Sequence, residues 1–349
     1  MKLLSQDRPG GPLISAILVL LLIGLALAPF LFPGTRALDT AARICVFVVL
    51  VASYDLLLGY AGIVSFAHTM FFGFGAYGVA LTSEHMGRSF AALGIGTLSG
   101  ALAAALLALA IGLFSLRVRA IFFAMITLAV ASAVAVLVSQ MSALTGGEDG
   151  LNFQIPRALT AAQKYADFKL FGVTLNGKLL NYYLVFSCAT VLFLVLLRIV
   201  NSPFGRVLLA IRENEFRAEA IGYRVVWFRT GATVLSAVAA ALAGSLYAIW
   251  LRYVGPSTVL SFEIMIDILL MVVIGGMGTM YGAVVGAVIF ILAQNYLQGL
   301  MGLAEGALQG LPLLPQLLDP DRWLLWLGVL FILSVYFFPT GIVGRLRRR

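Results

Sequence analysis

Two glycine patterns in the sequence have the spacing of nucleotide-binding motifs. Gly73, Gly75 and Gly78 form a literal G-x-G-x-x-G, the pattern that brings backbone close to a dinucleotide pyrophosphate between a strand and a helix. Here the pattern lies inside an apolar run, and Leu98 stands where the motif needs an acidic residue about 20 positions on. We interpret these glycines as positions where helices pack closely.

The second pattern, from Gly172 to Lys178, is close to a phosphate-binding P-loop. The next position of that motif needs a hydroxyl to coordinate Mg²⁺, and this chain has Leu179 there. The sequence therefore predicts no ATP site and no cofactor.

The residues that could act in catalysis or metal binding are scattered. His68 and His85 have no Cys, His or carboxylate partners at metal-ligand spacing, and Cys45 and Cys188 lie in apolar runs as small core residues. No nucleophile has a base that the sequence places beside it. An enzyme using His68 or Asp55 would lack a clustered catalytic set, so we predict a protein that is not an enzyme.

The composition indicates that lipid surrounds the chain. Of its 349 residues, 62% are hydrophobic and 11% charged, and the mean hydropathy is +1.04, whereas a soluble domain is about 45–50% apolar and about 25% charged. Runs of about 20 apolar residues cross the hydrocarbon core as helices. We expect an all-α integral membrane protein, a single transmembrane domain over residues 1–349 with about ten transmembrane helices. The predicted spans are 13–33, 40–58, 61–82, 91–115, 120–140, 180–199, 227–251, 262–277, 280–298 and 323–340.

The basic residues predict the orientation. The net charge is +8, and an arrangement with both termini in the cytoplasm places most of the 23 lysines and arginines inside, including the 198–229 segment and the last residues. Topology thus explains the positive charge, and no nucleic-acid partner is expected. The first span has an alternative interpretation as a signal peptide, because Met1 to Arg8 form a charged start.

The segment from Gly59 to Gly78 is too rich in glycine and polar residues for a helix that faces lipid. It is typical of a broken or re-entrant helix lining a polar cavity, which makes Ser65 and His68 candidates for a translocation pathway. The alternative is that the glycines only pack helices and that His68 is a hydrogen-bonded core residue.

Asp55 lies near the inner end of the second predicted span. A carboxylate there is costly unless it faces the bundle interior, a cavity or a partner, so Asp55 is the strongest pathway candidate. It could also serve as the coupling carboxylate of an ion-driven secondary transporter. The alternative is a helix-end carboxylate that reaches the cytoplasmic interface.

The cytoplasmic loop, about 199–226, predicts a short amphipathic helix. Ser202 as N-cap and Pro203 at the first helical position begin it, and Gly222 ends it. An apolar stripe of Val207, Ile211 and Ala218 could rest on lipid or dock in a protein groove, and the acidic residues of the loop favour the groove.

Two further features leave alternatives open. Gly278, Gly282 and Gly286 recur every four residues and predict close helix packing, either within the chain or with another subunit. The external loop, about 141–179, contains Leu144 to Leu151, which is either a gate or a solvated surface.

Taken together, these motifs resemble the bacterial branched-chain amino-acid ABC transporter permeases, particularly the larger of their two paired permease subunits. The matching segments are Gly59 to Gly62, Ser65 with His68, Phe71 to Tyr77, Leu144 to Leu151, Ser202 to Asn214, Gly275 to Gly282 and Phe338 to Gly341. Three positions depart from that family, which commonly has Asn at 55, Leu-Gly at 66–67 and Pro at 283, where this chain has Asp55, Phe66-Ala67 and Ala283.

The resemblance implies a function and a set of partners. It implies a multi-pass protein of the bacterial inner membrane that imports branched-chain amino acids with a second permease subunit, two ATPase subunits and a periplasmic solute-binding protein. Permeases for urea and short amides are similar, so those substrates stay open. The residues that would couple to the ATPase are Ser202, Pro203, Phe204, Gly205, Arg206, Arg212, Glu213, Asn214 and Gly222. The residues that would form an external gate or contact the binding protein are Thr145, Glu148 and Asp149.

Overall fold

The computed structural model describes residues 12–31, 34–115, 120–170, 173–307, 319–338 and 340–347. The described helices are α1 (Pro12–Leu31), α2 (Thr35–Asp55), α3 (His68–Met86), α4 (Phe90–Ser115), α5 (Ala120–Gln140), α6 (Ser142–Thr145), α7 (Gly177–Val200), α8 (Pro203–Glu213), α9 (Glu215–Ala220), α10 (Val225–Leu251), α11 (Pro256–Val259), α12 (Phe262–Gly275), α13 (Met280–Ala307), α14 (Trp323–Phe337) and α15 (Gly341–Arg347). Four short strands pair in two antiparallel ribbons: β1 (Leu151–Asn152) with β4 (Tyr253–Val254), and β2 (Lys164–Leu170) with β3 (Val173–Asn176).

The prediction of an all-α membrane protein is confirmed. Within the described residues, eight helical segments are long and apolar enough to cross a bilayer. The two other predicted spans coincide with α3, which is less apolar, and with α14, which has 15 residues. The charged start Met1 to Arg8 and Pro339 of the last motif lie outside the described residues. We call the end that holds 201–224 the cytoplasmic face and the end that holds 141–176 the external face, following the orientation predicted from charge.

α2 is the central element of the bundle. In the span Thr35–Tyr60, 89% of the most apolar window is buried inside the protein, compared with 17% in the peripheral spans Ile14–Leu31 and Ile121–Gln140. α2 contacts α1, α7, α10, α12 and α13. Any polar residue on α2 therefore lies in the interior and needs a partner there.

α1 is attached to α7 at a proline. Pro29 lies inside α1 and has no N–H, which leaves the carbonyl four residues earlier, at Leu25, without its usual helical donor. The hydroxyl of Tyr182 on α7 donates to that carbonyl, and the hydroxyl of Tyr183 donates to Ala26. These bonds satisfy backbone groups that lipid could not satisfy.

Glycines allow α3, α4 and α10 to pack at backbone distance, as the glycine pattern predicted. A Cβ atom at Gly75 would overlap a carbonyl of α10, and one at Gly244 would overlap the Phe72 carbonyl of α3. A Cβ atom at Gly100 of α4 would meet the backbone of Phe74 and Gly75. The G-x-G-x-x-G segment thus lies within a helix, and its glycines serve packing.

The second glycine series packs within the chain. A Cβ atom at Gly286 of α13 would overlap the Met271 carbonyl of α12, and Gly275 and Gly282 approach one another at the turn between these helices. This face of α13 is therefore occupied by α12. Of the two alternatives, packing within the chain is the one that the structure shows.

We expect Gly100→Ala to lower the thermal unfolding midpoint of the detergent-solubilised protein by a few degrees. The added methyl group would force α4 away from α3, and such overpacking costs about 1–3 kcal/mol. The matched control is Gly94→Ala on the same helix, where a Cβ atom meets nothing within 4 Å. Equal midpoints for the two variants would contradict the close packing.

Candidate functional site

The predicted break in the helix between Gly59 and Gly78 is present. α2 continues past Asp55 as one π-helical turn, Leu56–Tyr60, and the backbone then runs without regular structure from 61 to 67. α3 begins only at His68, so the span predicted from residue 61 starts too early. Gly62 has a φ of +69°, a conformation that glycine adopts without strain, and it turns the chain at this point.

Two side chains stabilise the broken segment. The Phe66 N–H donates to the hydroxyl of Thr127 on α5 (3.1 Å), and the Ala67 N–H donates to the hydroxyl of Ser65 (3.3 Å). Ser65 is buried and its oxygen serves its own backbone. The structure therefore places Ser65 as a residue that shapes the entry into α3.

His68 is part of a buried hydrogen-bond chain that joins three helices. Its Nε2 lies 2.8 Å from the Ser53 hydroxyl, which donates to the Leu50 carbonyl, and Ser236 of α10 donates to the Ser53 carbonyl. Since the Ser53 proton is directed to Leu50, Nε2 is the donor to Ser53. The ring of Tyr54 also packs edge-on against the imidazole, with 5.1 Å between ring centroids. This geometry matches the alternative interpretation of His68 as a hydrogen-bonded core residue.

Asp55 lies where the two glycine-rich connections of the bundle meet. Its carboxylate Oδ1 accepts the Gly278 N–H (2.8 Å), and the residue is only 1% exposed. A Cβ atom at Gly59 would overlap both this carboxylate and the Gly278 nitrogen. Asp55 therefore ties the end of α2 to the turn between α12 and α13, and its carboxylate does not extend to the interface as a free helix-end group would.

The cytoplasmic loop reaches the same point through Arg212. Its guanidinium donates to the Gly59 carbonyl, and its aliphatic part lies beside Gly62. We call Asp55, Gly59, Arg212 and Gly278 the Gly59 junction. It joins a charged cytoplasmic segment to the broken helix, so a displacement of either part must be transmitted to the other or must break these bonds.

The cytoplasmic segment contains two helices where the sequence predicted one. Ser202 is the N-cap of α8 with Pro203 in its first turn, as predicted, although the Ser202 hydroxyl donates to the Ile199 carbonyl. α8 ends at Asn214, which is extended (φ −158°, ψ 100°) and is also the N-cap of α9 through a bond from the Arg217 N–H. The side chain of Asn214 thus starts a second helix after a one-residue break in the helical backbone.

The apolar stripe of this segment is covered by the chain itself. Ile211 and Ala218 are buried with Val225 at the start of α10, and Val207 and Phe228 pack against them. The expectation that this stripe docks in a partner groove is therefore wrong, because α10 occupies it. The most exposed apolar side chains of the segment are Phe216 (85% exposed) and Ile221 (68%), on α9 and just after it.

The other predicted coupling residues divide into structural and exposed ones. Phe204 stacks on Phe228, and Gly205 is buried where a Cβ atom would overlap the Val200 carbonyl. Gly222 has a φ of +97° and follows α9. Arg206 and Glu213 are exposed on α8 and are available to a partner.

On the external face, the 144–151 motif forms a folded turn. The buried Thr145 hydroxyl donates to the carbonyls of Val138 and Met141, which holds the turn to the end of α5. The Asp149 carbonyl accepts the hydroxyl of Tyr253, and β1 continues the attachment to β4. The side chains of Glu148 and Asp149 are exposed.

The near P-loop does not form a phosphate cradle in the residues that the structure describes. Positions 173–176 belong to β3, and Lys178 pairs with Asp39 of α2 at 3.1 Å. Gly172 lies outside the described residues.

Two charged residues within the spans were missed by the sequence analysis. Arg43 on α2 donates to the side chain of Gln294 on α13 (3.4 Å), and Asp267 on α12 lies next to the same glutamine. Both residues fall within predicted spans, Arg43 in 40–58 and Asp267 in 262–277. A charge in an apolar window is the signal that marks both residues, as it marks Asp55.

Comparisons with known proteins give a consistent match. Residues 36–335 match the model of a family described as the permease component of the branched-chain amino acid transport system. The high-affinity branched-chain amino acid transport permease LivM of Salmonella typhimurium is 26% identical over 318 residues, which cover 87% of this chain and 73% of that protein. LivM of Escherichia coli is 27% identical over 334 residues, covering 92% and 77%.

A shorter match is to a probable LivM of Methanocaldococcus jannaschii, 29% identical over 163 residues, which are 46% of this chain and 45% of that protein. No solved structure matches the chain.

We expect Arg212→Ala to accelerate hydrogen exchange of the backbone amides in residues 56–67 by roughly fivefold. The variant removes a charge-assisted bond from a partly exposed site, a loss of about 1 kcal/mol in the stability of the local structure. Exchange measured by mass spectrometry on the solubilised protein tests this. Arg217→Ala, an exposed arginine of α9, should leave the same peptides unchanged. Equal exchange in both variants would show that Arg212 does not hold the broken helix.

Proposed function

The chain belongs to the family of permease components of branched-chain amino acid transport systems, and from this we propose that it forms half of a passage through which a separate ATPase drives import of branched-chain amino acids. The named relatives carry that substrate class in their names. The observation that carries the proposal is the Gly59 junction, because it connects the cytoplasmic segment to the broken helix in the bundle interior.

The partners that we propose are a second permease subunit, two ATPase subunits and a periplasmic solute-binding protein. The sequence predicts no complete ATP site on this chain, so import driven by ATP would take its energy from another subunit. Membrane lipid surrounds the bundle, as the exposed apolar side chains of α1, α4 and α5 indicate.

The cytoplasmic segment is suited to transmit force because it is attached to α10 at several points. The Arg229 guanidinium binds Glu215 at 2.8 Å, and the rings of Phe204 and Phe228 stack with 5.7 Å between centroids. The buried Ile211, Ala218 and Val225 add an apolar contact. A partner that pushes on α8 and α9 would therefore move them together with α10 and would pull on Gly59 through Arg212.

The contact with the ATPase would be made by exposed residues of this segment. Phe216 and Ile221 present apolar side chains, and Arg206 and Glu213 of α8 present charges. Exposed aromatic anchors with a charged rim are typical of protein interfaces. On the other face, we propose that Glu148 and Asp149 contact the binding protein, while Thr145 maintains the turn that carries them.

Within the bundle, we propose that Asp55 controls the passage and that Ser65 and His68 shape it. Asp55 joins two glycine-rich connections, which have little side-chain bulk to resist rearrangement. When the Gly59 junction opens, α2 and the α12–α13 turn can separate. This role differs from ion coupling, in which Asp55 would bind and release a proton or a cation.

We expect Phe216→Ala to reduce ATP-driven leucine uptake at least tenfold in proteoliposomes that contain all subunits. In the proposed complex Phe216 is buried against the ATPase. Loss of such an aromatic anchor costs about 2 kcal/mol or more of binding free energy, so co-purification of the ATPase should weaken as well. Leu303→Ala removes a side chain that is 75% exposed near the opposite face and should change neither measurement.

Uptake by the chain alone would contradict the proposed dependence on partners. Uptake driven by an ion gradient without ATP would contradict it as well. So would normal ATP-driven uptake by Phe216→Ala. Transport of urea or short amides in place of leucine would assign the chain to the other substrate class.

We expect Asp55→Asn to retain part of the uptake and Asp55→Leu to lose it. Asparagine keeps an oxygen that can accept the Gly278 N–H, whereas leucine leaves this buried donor without its partner, at a cost of about 1–3 kcal/mol. Initial rates of leucine uptake, normalised to the amount of assembled complex, test this. Equal and near-normal rates in both variants would remove Asp55 from the mechanism.

A further inference from the structure

A cavity of about 390 Å³ opens at the external end of the central helices, at the opposite end of α2 from the Gly59 junction. We call it the mouth cavity. Residues from α2, α7, α10 and the loop before β2 line it, among them Asp39, Arg43, Ala161, Lys178, Asn181 and Trp250. Its volume falls in the range of small-molecule sites, about 300–1,000 Å³.

The cavity contains both an acceptor and a donor that lack partners. The side-chain oxygen of Asn181 and the Nε of Arg43 are buried and have no hydrogen-bond partner among the described residues. Asn181 is only 3% exposed, and its amide nitrogen donates to the Ile249 carbonyl, which turns its oxygen the other way. Buried polar atoms are almost always bonded, so this pair points to a ligand that carries both a donor and an acceptor.

The charged side chains of the cavity also favour a ligand that carries both a positive and a negative group. Asp39 at its rim is half exposed and pairs with Lys178 at 3.1 Å, and the Lys178 ammonium also lies 5.5 Å from the centre of the Trp250 ring. Lys178 thus keeps a favourable contact if Asp39 turns to another cation. Arg43 donates to Gln294 and also lies near the Tyr247 hydroxyl and the Asp267 carboxylate, and its Nε remains for a further acceptor such as a ligand carboxylate.

We propose that the mouth cavity binds the free amino acid as a zwitterion, with Arg43 on its carboxylate, and with Asp39 and Asn181 on its ammonium group. The aliphatic side chain would lie against Trp250 and the neighbouring apolar residues. This proposal rests on the proposed function for the identity of the substrate. It adds a site at the external entry that receives the amino acid before it reaches the Gly59 junction.

The test is protection of a cysteine in the cavity from a thiol reagent. The assay uses proteoliposomes that contain both permease subunits and both ATPase subunits, with Cys45 and Cys188 of this chain replaced by Ala. Ala161→Cys is then treated from outside with a membrane-impermeant methanethiosulfonate. Neither binding protein nor nucleotide is present. L-leucine should slow the modification several-fold in a saturable way. Leucine amide lacks the carboxylate and 4-methylpentanoate lacks the ammonium group, so each should need a concentration at least about tenfold higher.

Two sets of variants make the test specific. Arg43→Gln, and separately Asp39→Asn at the half-exposed rim, should raise the half-protecting leucine concentration at least about tenfold. Arg88→Gln alters an exposed arginine of the same face and should leave that concentration unchanged. Arg88→Cys should react at the same rate with and without leucine.

The outcomes separate the two proposals. A complex that takes up leucine with ATP but shows no protection of Ala161→Cys, or unchanged protection in both Arg43→Gln and Asp39→Asn, would overturn the mouth site and leave the proposed function standing. A complex in which leucine protects the cysteine but ATP drives no uptake would contradict the proposed function and support the site.

Discussion

A backbone group in the interior of a lipid-embedded bundle must find its hydrogen-bond partner within the protein, and this constraint explains the local structure of this chain. α2 stops being a regular helix at Asp55, and backbone groups that meet at this point are bound by side chains from distant parts of the sequence. Arg212 of the cytoplasmic segment binds the Gly59 carbonyl, and Asp55 binds the Gly278 N–H. The break is therefore held in place by the residues that we propose to move during transport.

The two ends of α2 have different chemistry, and this asymmetry suits vectorial transport. At the external end, the mouth cavity has charges of both signs and buried polar atoms without partners. At the cytoplasmic end, the polar groups of the Gly59 junction bind one another and the backbone. A zwitterionic solute is thus offered partners at the entrance, while the inner junction responds to the position of α8 and α9.

Much of the fold could be predicted from the sequence because lipid imposes a simple pattern. The long apolar runs, the broken helix before His68 and the start of α8 at Ser202 and Pro203 follow from hydropathy, glycine content and capping preferences. The break at Asn214 was missed because a capping side chain in a charged helix looks like any other polar residue. The burial of Ile211 and Ala218 against Val225 depends on tertiary packing that a single helical pattern does not contain.

The site was only partly predictable for the same reason. Asp55 is conspicuous as a carboxylate in an apolar span, but its partner Gly278 is 223 residues away, and no local rule joins them. Arg212 was expected to face an ATPase, and the structure turns it inward to Gly59. Arg43 and Asp267 carried the same signal as Asp55, and only their common neighbour Gln294 shows why they matter.

The proline of α1 has a consequence for how the protein is made. The Leu25 carbonyl receives its donor from Tyr182, 157 residues later in the chain, and at about 5–20 residues per second a ribosome needs roughly 8–30 s to synthesise that stretch. During this interval the carbonyl must be covered by water, by the insertion machinery or by lipid headgroups. α1 therefore cannot reach its final hydrogen bonding until α7 has entered the membrane, which makes the completion of α1 a late event in biogenesis.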